Sequence, residues 1–308
     1  MNDLSNTVYR YYCEHFDELS ADKQLHFASR LFLWSADQFG EQKLAALRAR
    51  VTHHDDPTAA LRSVYDEAVK TIHHGSKNAA ELRAPYFEKY PKLRAVAMVL
   101  FRLTFLDSIY GLDARPTLFE IFPKEELEEL MQQLLADKEA LAILSTHAIN
   151  VLYLYHRVVL RSDTSLDPAQ FLEVGATQYD LTDPIHLQLY IYLYTHCIIG
   201  ESKFYARTLP EHYSPTYHAM LKELEDTIEA YFEGINLDNK FEFLVCCKLV
   251  GYESRLHERI MAEATQSVST EGDWLVDRHN TNPQTTNSSL DLSEHRNVLF
   301  VMANRPKV

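Results

Sequence analysis

Instructions for where a helix begins are written four times in this chain. Asp56-Pro57, Asp167-Pro168, Asp183-Pro184 and Ser214-Pro215 each place an N-capping side chain directly before a proline. The cap oxygen accepts one of the orphan N–H groups of a first helical turn, and proline brings no N–H that would need satisfying. Gly40, Gly75, Gly111, Gly234 and Gly251 follow apolar-periodic stretches. Glycine there reads as a stop, because it tolerates the left-handed conformation that ends a helix.

Between these marks the periodicity predicts helices near 3–18, 21–39, 41–52, 57–74, 92–110, 124–136, 139–161, 184–206, 215–233, 238–250, 254–267 and 293–304, with a short one near 168–177. In 93–110 apolar residues cover most of the surface, so that helix is expected to be buried. In 124–136 a single stripe (Leu127, Leu130, Leu134) opposes an acidic face, which suits an outer position. Such alternation is what helical hairpins around a shared core produce. The run 187–194, LQLYIYLY, alternates like a strand, but it lies inside a capped segment long enough to favour helix. The expected fold is all-α: hairpin repeats in one domain over 1–308, with N-terminal hairpins in 1–112 and C-terminal hairpins in 113–304.

Only 8 glycines occur, which argues against sandwiches, barrels and dinucleotide folds. The net charge of −14 disfavours nucleic acid and anionic lipid as partners. The cysteines, Cys13, Cys197, Cys246 and Cys247, form no CxxC pair and fit a reducing cytoplasm. The N-terminal segment lacks the basic start and apolar run of a signal peptide. No stretch approaches the ~18 uncharged apolar residues of a membrane helix. P-loop, GxGxxG, GxSxG, HExxH and zinc-finger spacings are absent.

One residue type recurs at hairpin spacing. His147, His196, Cys246 and His295 are 49, 50 and 49 residues apart, each on an expected apolar helix. If the hairpins close into a ring, these positions converge on its axis. Imidazole and thiolate there would suit zinc, with His196, Cys246 and His295 as ligands and His147 as a candidate fourth. The alternative is ordinary core packing, in which buried histidines are hydrogen-bonded and cysteines act as small hydrophobes. Aligning on Asn150 and Asn297 instead of the histidines sets Glu294 opposite His147.

Thr195 reads as bonding back to its preceding turn. Gly200 and Glu201 interrupt an apolar helix, as at a site where another helix packs closely. Thr270–Ser293 is the longest irregular stretch; its run Asp273-Trp274…Asp277-Arg278-His279 is a candidate lid, with a solvated loop as the alternative. The pairs His53-His54 and His73-His74 read as helix ends. The tail 304–308 is expected to fray.

The Tyr-x-x-Thr-His order at Tyr192–His196, the helix from Glu242 through Cys246 to Gly251, the Gly272-Asp273-Trp274 turn and the helix bearing His295 together resemble an uncharacterised bacterial family, a domain of unknown function. Its helical-repeat members are similar to α/α toroids, and the resemblance covers about residues 185–304. It implies a closed or incomplete ring of hairpins. The function expected on these grounds is binding of a metal or a small apolar or peptide ligand in a central cavity. The alternative is a non-catalytic scaffold for a protein partner.

Overall fold

The computed structural model describes residues 2–70, 77–162, 166–209, 214–270, 273–276 and 289–308. Among these the fold is all-α, and the sole extended pairing is a bridge between Val268 and Leu275. The helices are α1 (Asn2–Glu14), α2 (Ala21–Ser35), α3 (Gln38–Val51), α4 (Pro57–Lys70), α5 (Lys77–Lys89), α6 (Leu93–Ser108), α7 (Arg115–Ile121) and α8 (Lys124–Ala136). They continue with α9 (Lys138–Leu144), α10 (Thr146–Leu154), α11 (Ala169–Thr177), α12 (Pro184–Glu201), α13 (Ser214–Ala230), α14 (Leu237–Val250), α15 (His257–Gln266) and α16 (Leu290–Asn304).

Two of the four capping signals act as their chemistry requires, whereas α11 has Pro168 as its N-cap and α13 includes Ser214. Asp183 accepts from the N–H groups of Ile185 and His186, and Asp56 accepts from that of Ala59. Gly251 closes α14 at φ +76°. The alternating run 187–194 is helical, within α12. No helix among the described residues is long and apolar enough to cross a membrane.

The chain divides into two compact units. One comprises residues 1–46 and 205–308, the other residues 47–204. In the discontinuous unit α16 packs on α1, α2 and α14, and α14 also carries α13 and α15. In the continuous unit α6 packs on α4 and α10, and α10 on α12. Helix α6 is buried as its composition dictates: Val99, Leu100, Leu103 and Leu106 are wholly inaccessible. Each such side chain contributes about 1.5–3 kcal/mol of burial.

Several local expectations are corrected. Gly40 does not stop a helix; it lies inside α3, where an added Cβ would stand 2.8 Å from the Ala28 carbonyl oxygen of α2. Helix α5 is not among the helices the periodicity predicts, and it runs through Pro85. The proline removes one helical hydrogen bond, but Glu81 and Pro85 are both exposed, so water takes the carbonyl left over. The segment 139–161 is broken at Ser145, which adopts φ 40°, ψ −106° and donates its hydroxyl to the Leu189 carbonyl at 3.0 Å. His147 therefore sits in the first turn of α10 and not mid-helix. The tail is pinned: Val308 N–H donates to the Trp34 carbonyl and Lys307 Nζ to that of Leu33. Trp274 is buried and stacks on Tyr11 at 5.0 Å, which removes it from any lid. Gly75, His73-His74 and Asp277-Arg278-His279 lie outside the described residues.

Candidate functional site

The continuous unit places His147 and His196 on packed helices. Asn150, one turn after His147, is buried, and its Oδ1 accepts from His196 Nδ1 at 2.8 Å. On α12, Tyr192 meets His196 edge-on at 5.9 Å, and Gln188 donates to the Tyr192 hydroxyl at 3.0 Å. Thr195 donates back to the Ile191 carbonyl at 3.0 Å, as read from the sequence. The turn bearing His147 and the turn bearing His196 are thus linked through an asparagine.

Next to His147 lies a cavity of about 330 Å³. Its wall is built by α5 (Ala80, Arg83, Phe87), α6 (Arg94, Ala97, Met98, Phe101) and His147. The spacings place these groups: Arg83 and Phe87 are four apart on α5, while Arg94, Met98 and Phe101 share one face of α6. The His147 ring stands edge-on to Phe87 at 5.2 Å. Arg94 lays its guanidinium on the other ring contact available there, with Cζ 3.8 Å from the Phe87 centroid. Arg83 is only 8% exposed and donates Nε–H to the Ile143 carbonyl at 3.2 Å.

Two cations therefore border a largely apolar space. No carboxylate of the described residues forms an ion pair with Arg83 or Arg94. Burial lowers the pKa of Arg83, partly offset by Tyr192 and Tyr179, and burial also lowers that of Arg94. Burial, reinforced by Arg83 and Arg94, pushes the His147 imidazole down to about 4, against a lesser opposing effect of the Leu144 backbone. The ring is neutral at pH 7. A larger depression of about 410 Å³ lies near the start of α6 and α8, but its cations have partners: Lys89 with Asp137 at 2.6 Å, and Lys92 with Glu126.

The discontinuous unit holds Cys246 and His295. Cys246 is wholly buried on α14. His295 on α16 has its ring 5.3 Å from that of His26 on α2, and its Nε2 is 4.0 Å from Glu242 Oε2. Glu294 is fully buried; its carboxylate accepts from His26 Nδ1 at 2.8 Å and faces Lys23 Nζ at 3.2 Å. Burial alone would raise the Glu294 carboxyl, but His26 and Lys23 outweigh it and hold it below the usual carboxylate range. Burial, with the charge of His26, pushes His295 down to about 4, against Asp238 and Glu294. Burial lowers His26 as well, although Glu294 works in the other direction.

The four residues singled out as zinc ligands thus fall in separate units, His147 and His196 in one and Cys246 and His295 in the other. Among the described residues, no group of three or more His, Cys, Asp or Glu side chains is placed to hold a metal ion. The residues that sequence reading missed are Arg83, Phe87, Arg94, Met98 and His26. For the cavity, the available signal was basic residues on the apolar faces of 80–101. For His26, nothing nearby announces a partner 268 residues away. Glu294 was reached only through the alternative alignment on Asn150 and Asn297. No family model, curated protein or solved structure matches this chain.

Proposed function

We propose that the unit of residues 47–204 is a small-molecule receptor that holds its ligand in the cavity between α5, α6 and His147. The observation that carries this reading is the cavity itself. At about 330 Å³ it lies at the small end of ligand sites, with aromatic and thioether walls and a few convergent polar groups. Phe87, Met98 and Phe101 supply apolar surface, and Met98 adapts its shape at little cost. His147 and the arginine donors fix orientation. In the larger depression both lysines already have carboxylate partners, Asp137 and Glu126.

The test is ligand-observed NMR with a panel of aromatic and short acyl compounds of about a dozen non-hydrogen atoms. Each is run on the native chain and on Ala97→Leu, which fills the cavity from α6. Binding to the native chain and its loss in a variant with undiminished melting temperature support the proposal. Equal binding to both, or binding of nothing in the panel, removes it.

A further inference from the structure

The cavity is notable for what its charges lack. Three buried cations of this chain have a carboxylate partner: Arg157 pairs with Glu201, Arg296 with Asp238 at 2.7 Å, and Lys240 with Glu263; a fourth, Arg30, lies over the Tyr205 ring. Asp and Glu number 44 against 30 Lys and Arg, so acidic partners are plentiful. Yet Arg83 and Arg94 border the same cavity without an ion-pairing acid among the described residues, and Arg94 adds a small part to the cost of charging Arg83. Taking a cation out of water is unfavourable unless an opposite charge or hydrogen bonds replace the solvent. That cost falls on the buried Arg83; Arg94 is partly exposed, with water and the Phe87 ring about its guanidinium.

We infer that the ligand of this cavity is an organic anion, an oxyanion head on an aryl or short acyl body, and that Arg83 and Arg94 bind the head. The inference rests on the receptor reading given above. The Nε of Arg83 is committed to Ile143, which fixes its plane and leaves its terminal nitrogens to donate. Arg94 is held flat against Phe87, which leaves its N–H edge for a second set of bonds. Guanidinium groups held this way suit the paired oxygens of a carboxylate or phosphate. Phe87, Met98 and Phe101 then enclose the apolar body, and His147 adds an uncharged hydrogen-bonding edge. A cationic ligand would meet two like charges, and a neutral one would leave the buried Arg83 guanidinium without a counter-charge.

Calorimetry on the full chain in low-salt buffer tests this with 3-phenylpropionate, phenyl phosphate and the neutral 3-phenylpropionamide. The expected result is at least tenfold tighter binding of an oxyanion than of the amide. The stronger of the two oxyanions then identifies the head group. In Arg94→Gln, checked for folding by its melting curve, the preference for anions collapses while amide binding persists. Equal affinity for amide and anions overturns the inference but leaves the receptor reading standing. An anion preference that survives in Arg94→Gln also overturns it. Absence of all binding discards both.

Discussion

The two units differ in how the charges around their candidate site residues are matched. In the discontinuous unit Glu294 lies against His26 and Lys23, and Arg296 against Asp238. Every charge in that group finds its opposite within the protein. In the continuous unit Arg157 and Glu201 are matched in the same way, but Arg83 and Arg94 are not. Matched buried charges hold helices in one arrangement, and losing either member leaves an uncompensated ion. Unmatched ones bordering a cavity mark where something else completes the set. Buried charge alone therefore does not identify a site; what separates the two cases is whether the chain itself supplies the counter-charge.

The sharpest way to break this contrast is to remove acids from matched pairs. Glu201→Ala is expected to destabilise by about 3–5 kcal/mol, since Arg157 stays buried without its carboxylate. Its measure is the guanidinium denaturation midpoint. Glu294→Ala is expected to fall at the lower end of that range, because His26 can remain neutral. A loss under about 0.5 kcal/mol in either would show that the pairing is not what holds these helices.

Next in size is Gly200→Ala. An added Cβ would lie 2.6 Å from Tyr153 Cβ, so α10 and α12 must separate, at about 1–3 kcal/mol by the same denaturation measurement. A neutral outcome would mean that the contact relaxes freely.

A smaller effect is expected from acid. Both His147 and His295 have folded pKa values near 4, below the ordinary histidine value of 6.5. The unfolded chain binds more protons between pH 6.5 and 4, so stability declines as pH falls through that window. Above it, neither histidine contributes a slope. Melting temperature against pH should therefore be flatter between pH 6.5 and 4 in His147→Gln and in His295→Gln. An unchanged slope would show that these rings protonate freely in the fold.

The smallest effect sharpens the contrast from the other side. Arg94→Met should change stability by no more than about 0.5 kcal/mol, in either direction, because no acid is orphaned. A loss as large as that of Glu201→Ala would mean that Arg94 has a structural partner after all.

What the sequence made legible was whatever is encoded within a few residues. Asp183 with Pro184 starts α12, Gly251 ends α14, and α8 spans Lys124–Ala136 as its stripe and acidic face required. Gly200 beside Tyr153 and Glu201 beside Arg157 match the reading of a close helix approach. Features requiring knowledge of distant neighbours escaped. Gly40 resembles a stop until α2 is known to press on it. Pro85 resembles a break because tolerance of it depends on which face meets water. Ser145 breaks a continuous apolar pattern through a bond to a carbonyl 44 residues on. His147, His196, Cys246 and His295 do lie on helices, but their spacing carries no information about how the chain partitions into units.

That partition bears on how the protein is made. Helices α1 and α2 stand far ahead of α16 in the chain, yet α16 is a surface they pack against. Residues 47–204 form an unbroken stretch whose contacts are complete once α12 has emerged. The second unit can therefore finish while the first two helices wait, their apolar faces uncovered. The waiting ends when α16 has followed and Val308 and Lys307 bond to the end of α2.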